Sequence, residues 1–228
     1  MISLCLDTAT EGGVVGVFRD GLLLAKKEFQ AAFTNSKLLM PSIQEVCAAA
    51  EITPAMLTYI GCGIGPGSYT GIRVAVAVAK AIMAALSIPL VGVSSLAGFV
   101  PESSFEGRFL AALDARTGGV YVMEGEMRGR QVVFVSPPQI VSTVDFAHLA
   151  SSVSCIVTHK ALPLRERLFA MGVMELPLCI ERYASIEIIG LLSHEAFLRG
   201  EGVLDGVLEL CYLRSAVNYA TTPSQSQG

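Results

Sequence analysis

The stretch from Tyr59 to Lys80 leaves the chain little freedom: it reads as a short strand, a glycine-rich turn and an apolar helix. Gly61, Gly63, Gly65 and Gly67 alternate, so one face of the strand carries no side chains. Another element, a ligand or both must approach that backbone closely. Gly65-Pro66-Gly67 makes the turn, and Ser68 or Thr70 can cap the helix that follows. Helix-start N–H groups form an anion site, so Gly65, Gly67, Ser68, Thr70 and Gly71 are candidate phosphate or nucleotide ligands. A tight strand-to-helix turn with no ligand fits the same residues. Counting excludes two familiar motifs. The Gly65-to-Gly71 spacing is one residue too long for the dinucleotide fingerprint, and no Lys-Ser/Thr pair follows to make a P-loop.

Around this stretch the pattern predicts an α/β fold. Ile2–Asp7, Val14–Phe18 and Leu22–Phe29 read as strands, the last two joined by Asp20-Gly21, a strong hairpin signal. Residues 35–50 predict a helix with Leu38, Leu39, Ser42, Ile43 and Val46 on one side, and with Pro41 kinking it or marking a late start. The glycine strand, its helix and a strand at Ile88–Val93 follow. A meander followed by β–α alternation suggests a mixed sheet with helices against it. Beyond a linker at Pro101–Gly107 the beginning recurs. Leu113-Asp114-Ala-Arg-Thr-Gly-Gly119-Val-Tyr-Val122 repeats the pattern of Leu6-Asp7-Thr-Ala-Thr-Glu-Gly-Gly13-Val-Val-Gly-Val17, one residue shorter in the turn. Residues 1–100 and 101–220 are therefore expected as two related halves. Helices are expected at Thr143–Leu149, Leu162–Met171 and Ser185–Arg199, a strand at Ser154–Thr158, and a disordered polar tail over 221–228.

Only 16% of the 228 residues are charged, where about 25% is usual, and hydrophobic residues reach 52%. So little charge implies apolar surface beyond one core, and hence a protein partner. A net charge of -4 argues against extended nucleic-acid binding by this chain alone. Six scattered cysteines without a CxxC pair read as buried reduced thiols, and no signal peptide is recognised at Met1, so a cytoplasmic protein is expected. The apolar run from Ile72 to Leu86 carries Lys80 and falls short of about 20 residues, so no membrane span is expected.

Asp7 and Asp114 end equivalent strands, where two halves would face each other across a cleft. Carboxylates so placed suit a magnesium ion held through water, and equally suit caps for their own turns. His148, His159 and His194 have no metal-triad spacing and read as surface or capping residues; His194-Glu195 lacks the second histidine of HExxH, since position 198 is leucine. No metal site is expected, and no catalytic constellation emerges.

Leu6-Asp7-Thr8-Ala9-Thr10, Gly65-Pro66-Gly67-Ser68-Tyr69-Thr70-Gly71-Ile72-Arg73, Gly92-Val93-Ser94-Ser95-Leu96 and Leu113-Asp114-Ala115-Arg116 together resemble the TsaB (YeaZ) family. They cover roughly the first 125 residues in the family's order, with Tyr212-Leu213-Arg214 similar to its closing segment. The resemblance implies duplicated ribonuclease-H-like halves of the actin, Hsp70 and hexokinase type, with mixed five-stranded sheets. It implies a role in placing a threonylcarbamoyl group on the adenosine beside the anticodon of ANN-decoding tRNAs, as the non-catalytic partner of TsaD. TsaE would join the pair, tRNA would be met only through the complex, and the chain alone would form a homodimer. No cofactor is expected to bind tightly; ATP or ADP with magnesium is placed at the complex interface. Where the family often has histidine before Leu-Leu-Pro, this chain has Asn35.

The expected docking surface comprises the first two helices, through Asn35, Leu38, Leu39, Ile43, Arg73, Val74, Ala77, Val78 and Ala81. The second helix is apolar on nearly every side, so one face must remain after the sheet is covered. Its alanines permit close helix–helix approach. The competing expectation is a nucleotide-dependent phosphotransferase or hydrolase built on Asp7 and the glycine turn.

Overall fold

The computed structural model describes residues 1–30, 35–173, 177–205, 207–211 and 213, apart from the side chains of 35, 36 and 117. Strands β1 (Ile2–Asp7), β2 (Gly12–Arg19) and β3 (Leu22–Gln30) form the antiparallel meander, and helix α1 (Asn35–Ala49) follows. The β2–β3 turn is Asp20-Gly21 with both φ positive, at 50° and 79°, the backbone that a two-residue hairpin demands. Then come β4 (Tyr59–Gly63), α2 (Tyr69–Leu86) and β5 (Leu90–Val93). The first sheet has the order β3-β2-β1-β4-β5, with β1, β4 and β5 parallel.

The second half repeats this plan. It comprises β6 (Gly107–Asp114), β7 (Val120–Arg128), β8 (Gln131–Phe134), β9 (Gln139–Val141), α3 (Thr143–Ser151), β10 (Cys155–Thr158), α4 (Ala161–Ala170), β11 (Leu178–Glu181) and α5 (Ile186–Leu198). Its order, β11-β10-β6-β7-β8, is that of the first sheet read from the other edge. The duplication seen in the Asp and Gly-Gly patterns therefore extends to topology. One difference from the expected five strands is β9. It pairs with Val120–Val122 of β7, while β8 pairs with Gly125–Arg128, so one long strand is served by two short ones and the sheet has six.

Three apolar layers separate these elements. Leu4, Leu6, Val15, Val17 and Ile60 of the first sheet pack against Leu39, Ile43 and Val46 of α1 and Ile72, Ala75 and Ala79 of α2. Leu110, Ala112, Val122 and Ile156 of the second sheet pack against Phe146 of α3 and Leu164 and Leu168 of α4. Between the sheets, Cys5, Phe18 and Tyr59 share a core with Phe109, Met123 and Val157, and with Ile186, Ile189 and Ala196 of α5. Strand alternation sorts these side chains: in β1, Leu4 and Leu6 face the outer helices while Cys5 faces inward. Helix α5, from the end of the second half, thus lies against the first sheet.

Three helices are capped alike by serine. Ser68, Ser142 and Ser185 each accept from the N–H three residues on, at 3.2, 3.1 and 3.3 Å. Helix α1 runs through Pro41 rather than starting after it. Leu38 does not share the buried side expected for it: it is exposed, while Leu39, Ser42, Ile43 and Val46 are buried. Residues 221–228 and the Tyr212 and Arg214 of the closing motif lie outside the described residues.

Candidate functional site

The bare face of the glycine strand is filled from two directions. A Cβ at Gly61 would overlap Ser193 of α5 and approach Cys5, and one at Gly63 would overlap the carboxyl of Asp7. The turn beyond is pressed against the loop that follows β1. A Cβ at Gly67 would overlap the Ala9 carbonyl and one at Gly71 the Thr8 carbonyl, while Ser68 N–H donates to Ala9 O at 2.6 Å and Thr8 Oγ1 donates to Gly71 O at 2.7 Å. The Gly65–Pro66 peptide is cis. Gly65 N–H donates to Ser95 Oγ at 3.0 Å, and Gly65 is buried beside Ile72 and the Cys211 carbonyl. Protein groups therefore supply the close approaches at all five of these glycines.

Both turn-ending aspartates bind the N–H two residues on: Asp7 Oδ1 accepts from Ala9 at 2.7 Å, and Asp114 Oδ1 from Arg116 at 3.1 Å. Their surroundings then diverge. Arg167 of α4 donates to Asp114 Oδ1 through Nε at 2.9 Å and Nη2 at 2.7 Å. Asp7 is 3% exposed, and among the described residues its buried Oδ2 has no hydrogen-bond partner. Burial raises its carboxyl above the ordinary 3.8, opposed by the nearby Ser95 hydroxyl and the Ala9 N–H.

This gives a first expected result. Asp7→Asn keeps an acceptor for Ala9 N–H and removes a carboxyl whose ionisation burial disfavours, so it should stabilise the fold at pH 7 by about 1–3 kcal/mol. A raised folded-state pKa means that Asp7 costs least below the unfolded value. The cost grows as pH rises through the folded one. The gain from Asn should therefore shrink towards zero on acidification to pH ~4. Urea melts at several pH values measure this, and a less stable Asp7→Asn protein at pH 7 would overturn it.

A cleft of about 420 Å³ opens between the two sheets. Its walls are Ala9–Glu11 after β1, Gly67–Thr70 after β4, Leu113–Arg116 at the end of β6, and Thr158–Lys160 at the end of β10. Tyr121 and Pro163 complete it. Crevices at the carboxyl ends of strands are where open α/β sheets take ligands. Of the residues expected to bind phosphate, Gly67, Ser68 and Thr70 line this cleft; Asp7, Gly65 and Gly71 do not. Asp7 fails because its side chain turns towards Gly63 and Ser95.

The opposite wall was not singled out by the sequence. Lys160 pairs with Glu11 across the cleft mouth, which holds the Glu11 carboxyl below its ordinary range. His159 is half-buried, its ring 5.6 Å from that of Tyr183, and both ring nitrogens are closed off from solvent with the backbone at Arg182 nearby. Burial lowers its pKa, partly offset by the backbone at Arg182, so it is neutral at pH 7. His194 is also half-buried, with Nδ1 3.2 Å from the Tyr59 hydroxyl. Neither fits the expected surface or capping role. The available signal was position: His159 directly follows β10 in the second half as Ile64 follows β4 in the first. Among the described residues, no group of three or more His, Cys, Asp and Glu side chains could hold a metal ion.

The expected docking residues divide by side. Arg73, Ala77 and Ala81 are exposed along α2, with Val74 and Val78 half-buried beside them, and Leu38 is exposed on α1. Leu39 and Ile43, at 0% and 6% exposure, belong to the core, because they are the positions of α1 that meet the first sheet. They cannot present a surface to a partner. Asn35 begins α1, but its side chain lies outside the described part. The guanidinium of Arg73 stacks 4.0 Å over the Tyr69 ring.

A family model described as TsaD, tRNA N6-adenosine threonylcarbamoyltransferase, matches residues 30–160. The chain is 30% identical over 147 residues to the tRNA threonylcarbamoyladenosine biosynthesis protein TsaB of Escherichia coli, covering 60% of this chain and 63% of that protein. It is 29% identical over 150 residues to the Bacillus subtilis protein of the same name, covering 65% and 66%. The chain thus spans somewhat under two thirds of the length of these relatives. Among solved structures, YeaZ from Pseudomonas aeruginosa superposes with a TM-score of 0.74 at 24% identity, over 89% of this chain and 94% of that one. A second, described by its similarity to peptidase YeaZ from the same organism, gives 0.77 at 23% identity over 93% and 99%. At such identities the superpositions establish the shared fold.

Proposed function

The chain belongs to the TsaB (YeaZ) family, and from that membership we propose that it is the non-catalytic partner that TsaD requires. The product is the threonylcarbamoyl group on the adenosine beside the anticodon of ANN-decoding tRNAs. One observation carries the reading. Helix α2 buries Ile72, Ala75, Val76, Ala79 and Met83 and leaves Arg73, Ala77, Ala81, Ala84 and Ala85 exposed. An exposed ridge this apolar and this short-chained suits close packing against another helix. By length and composition α2 could cross a membrane, with 33% of that window buried. In this reading its inner side is core and its outer side is for protein, and the molecule works in the cytoplasm.

TsaD would dock there, a second copy would cover the same ridge when TsaD is absent, and TsaE would join the pair. The tRNA is met through the complex, consistent with a net charge of -4. ATP or ADP with magnesium belongs, in this reading, to the complex interface. The competing phosphotransferase reading needs Asp7 in the cleft, and Asp7 does not line it.

Reconstitution with TsaD, TsaE, the threonylcarbamoyl-AMP synthase TsaC and an ANN-decoding tRNA tests the proposal. Modification should require this chain, and the chain alone should turn over no ATP. Modification at the full rate without it would dismiss the proposal, as would ATP turnover by the isolated chain that Asp7→Asn abolishes.

A further inference from the structure

Two halves of a chain move against each other by default, unless the surface between them is large and apolar. Here the chain passes between the halves twice, after β5 and after β11. Helices α3 and α4 both lie on the outer side of the second sheet. Its inner side, with Phe109, Met123 and Val157, shares one core with Leu96, Phe99 and Val100 of the first crossing and with α5, which itself lies on the first sheet. The first crossing is therefore no free linker. Residues 95–101 are all buried, and the short helical turn at Ser95–Gly98 contacts β6, β7 and α5.

The second crossing is fastened to the first. Ser185 N–H donates to Gly98 O at 2.7 Å, and Arg182 Nη1 donates to Val100 O at 2.8 Å. A Cβ at Gly98 would stand 2.8 Å from that of Ala184. Rings interlock the same elements with the first sheet: a Cβ at Gly12 of β2 would overlap the Tyr183 ring, and one at Gly190 of α5 would overlap the Phe18 ring.

We propose that this seam clamps the two halves into one rigid body, so that the cleft keeps a single aperture. A hinge motion wide enough to close it would draw Phe99 and Phe109, both 0% exposed, towards water. It would also break the bonds that tie the crossings together. Domain closure needs a few element-terminal residues free to change φ and ψ, drawn from weakly packed segments. Both crossings here are the reverse. The chain then offers any partner or ligand a preformed surface, with little ordering left to be done on binding. The clamp lies in the seam and is independent of docking through α2.

Residual dipolar couplings on the full chain test this. Backbone amides of β1, β2 and β4 and those of β6, β7 and β10 should fit one alignment tensor with equal order, whereas halves in hinge motion need two. Amide exchange followed by NMR gives a second reading, because the Ser185 N–H bonds across the crossings. It should exchange within ~10-fold of the protected β1 amides, as it opens only when the whole chain does. Arg182→Met removes the bond to Val100 O and should speed Ser185 exchange by ~10-fold or more while β1 keeps its parental rate. Two tensors, a parental Ser185 amide that exchanges faster than that limit, or one that Arg182→Met leaves unchanged would each overturn the proposal. None of these outcomes touches the docking reading, which rests on α2.

Discussion

Ala77→Arg is expected to abolish co-purification with TsaD while leaving the melting temperature of the isolated chain unchanged. Ala77 is exposed in the middle of the α2 ridge. An arginine there meets water in the free protein but would be driven into a close helix–helix contact in the complex. Burying an unpaired guanidinium at the centre of an interface costs about 3–5 kcal/mol, a loss of more than ~100-fold in affinity. Ala81→Arg, one turn further on, should behave alike. Val78→Arg is a poorer probe, because Val78 is half-buried against the core shared with α1 and would damage the fold as well. Pull-down with TsaD alongside thermal melts separates the two effects. Parental affinity in both alanine variants would mean that the ridge is not the docking surface.

Gly71→Ala is expected to lose about 3 kcal/mol of stability, a fall of roughly 6–12 °C in melting temperature for a chain of this size. Helix propensity alone points the other way, favouring alanine by about 1 kcal/mol. Packing should win. The new methyl would overlap the Thr8 carbonyl oxygen, and that obstacle is backbone, tied in turn by the Thr8 hydroxyl to Gly71 O. The strand end must move or the helix must tilt. Calorimetry on the isolated chain decides between the two. A variant melting at or above the parent would show that the β1 loop yields cheaply.

What could be read from the sequence was whatever depends on near neighbours. Asp20-Gly21 announced its hairpin, the span Ser185–Arg199 announced α5, and the Asp and Gly-Gly patterns revealed the repeat. The bare face of the glycine strand was also legible, but not its occupant, since Ser193 arrives from a distant part of the chain. Rotation about a helix was read less well. Leu38 and Leu39 are adjacent and equally apolar, yet only the contact with the first sheet decides which of them is buried. Strands β9 and β11, at three and four residues, are too short to show alternation. His159 was unreadable for the same reason as Ser193: its surroundings come from Glu11, Tyr183 and the backbone at Arg182, all brought together by the fold.

The position of α5 sets the order in which the molecule can be completed during synthesis. Residues 1–93 contain every strand of the first sheet, and α1 and α2 can cover one side of it as soon as they emerge. The other side, with Cys5, Phe18 and Tyr59, waits for residues 186–198. An N-terminal half that usually folds first on the ribosome here stays half-finished, with an apolar sheet face open to solvent, until α5 has left the tunnel. Chaperone demand should therefore fall on the nascent chain between the emergence of β5 and that of α5.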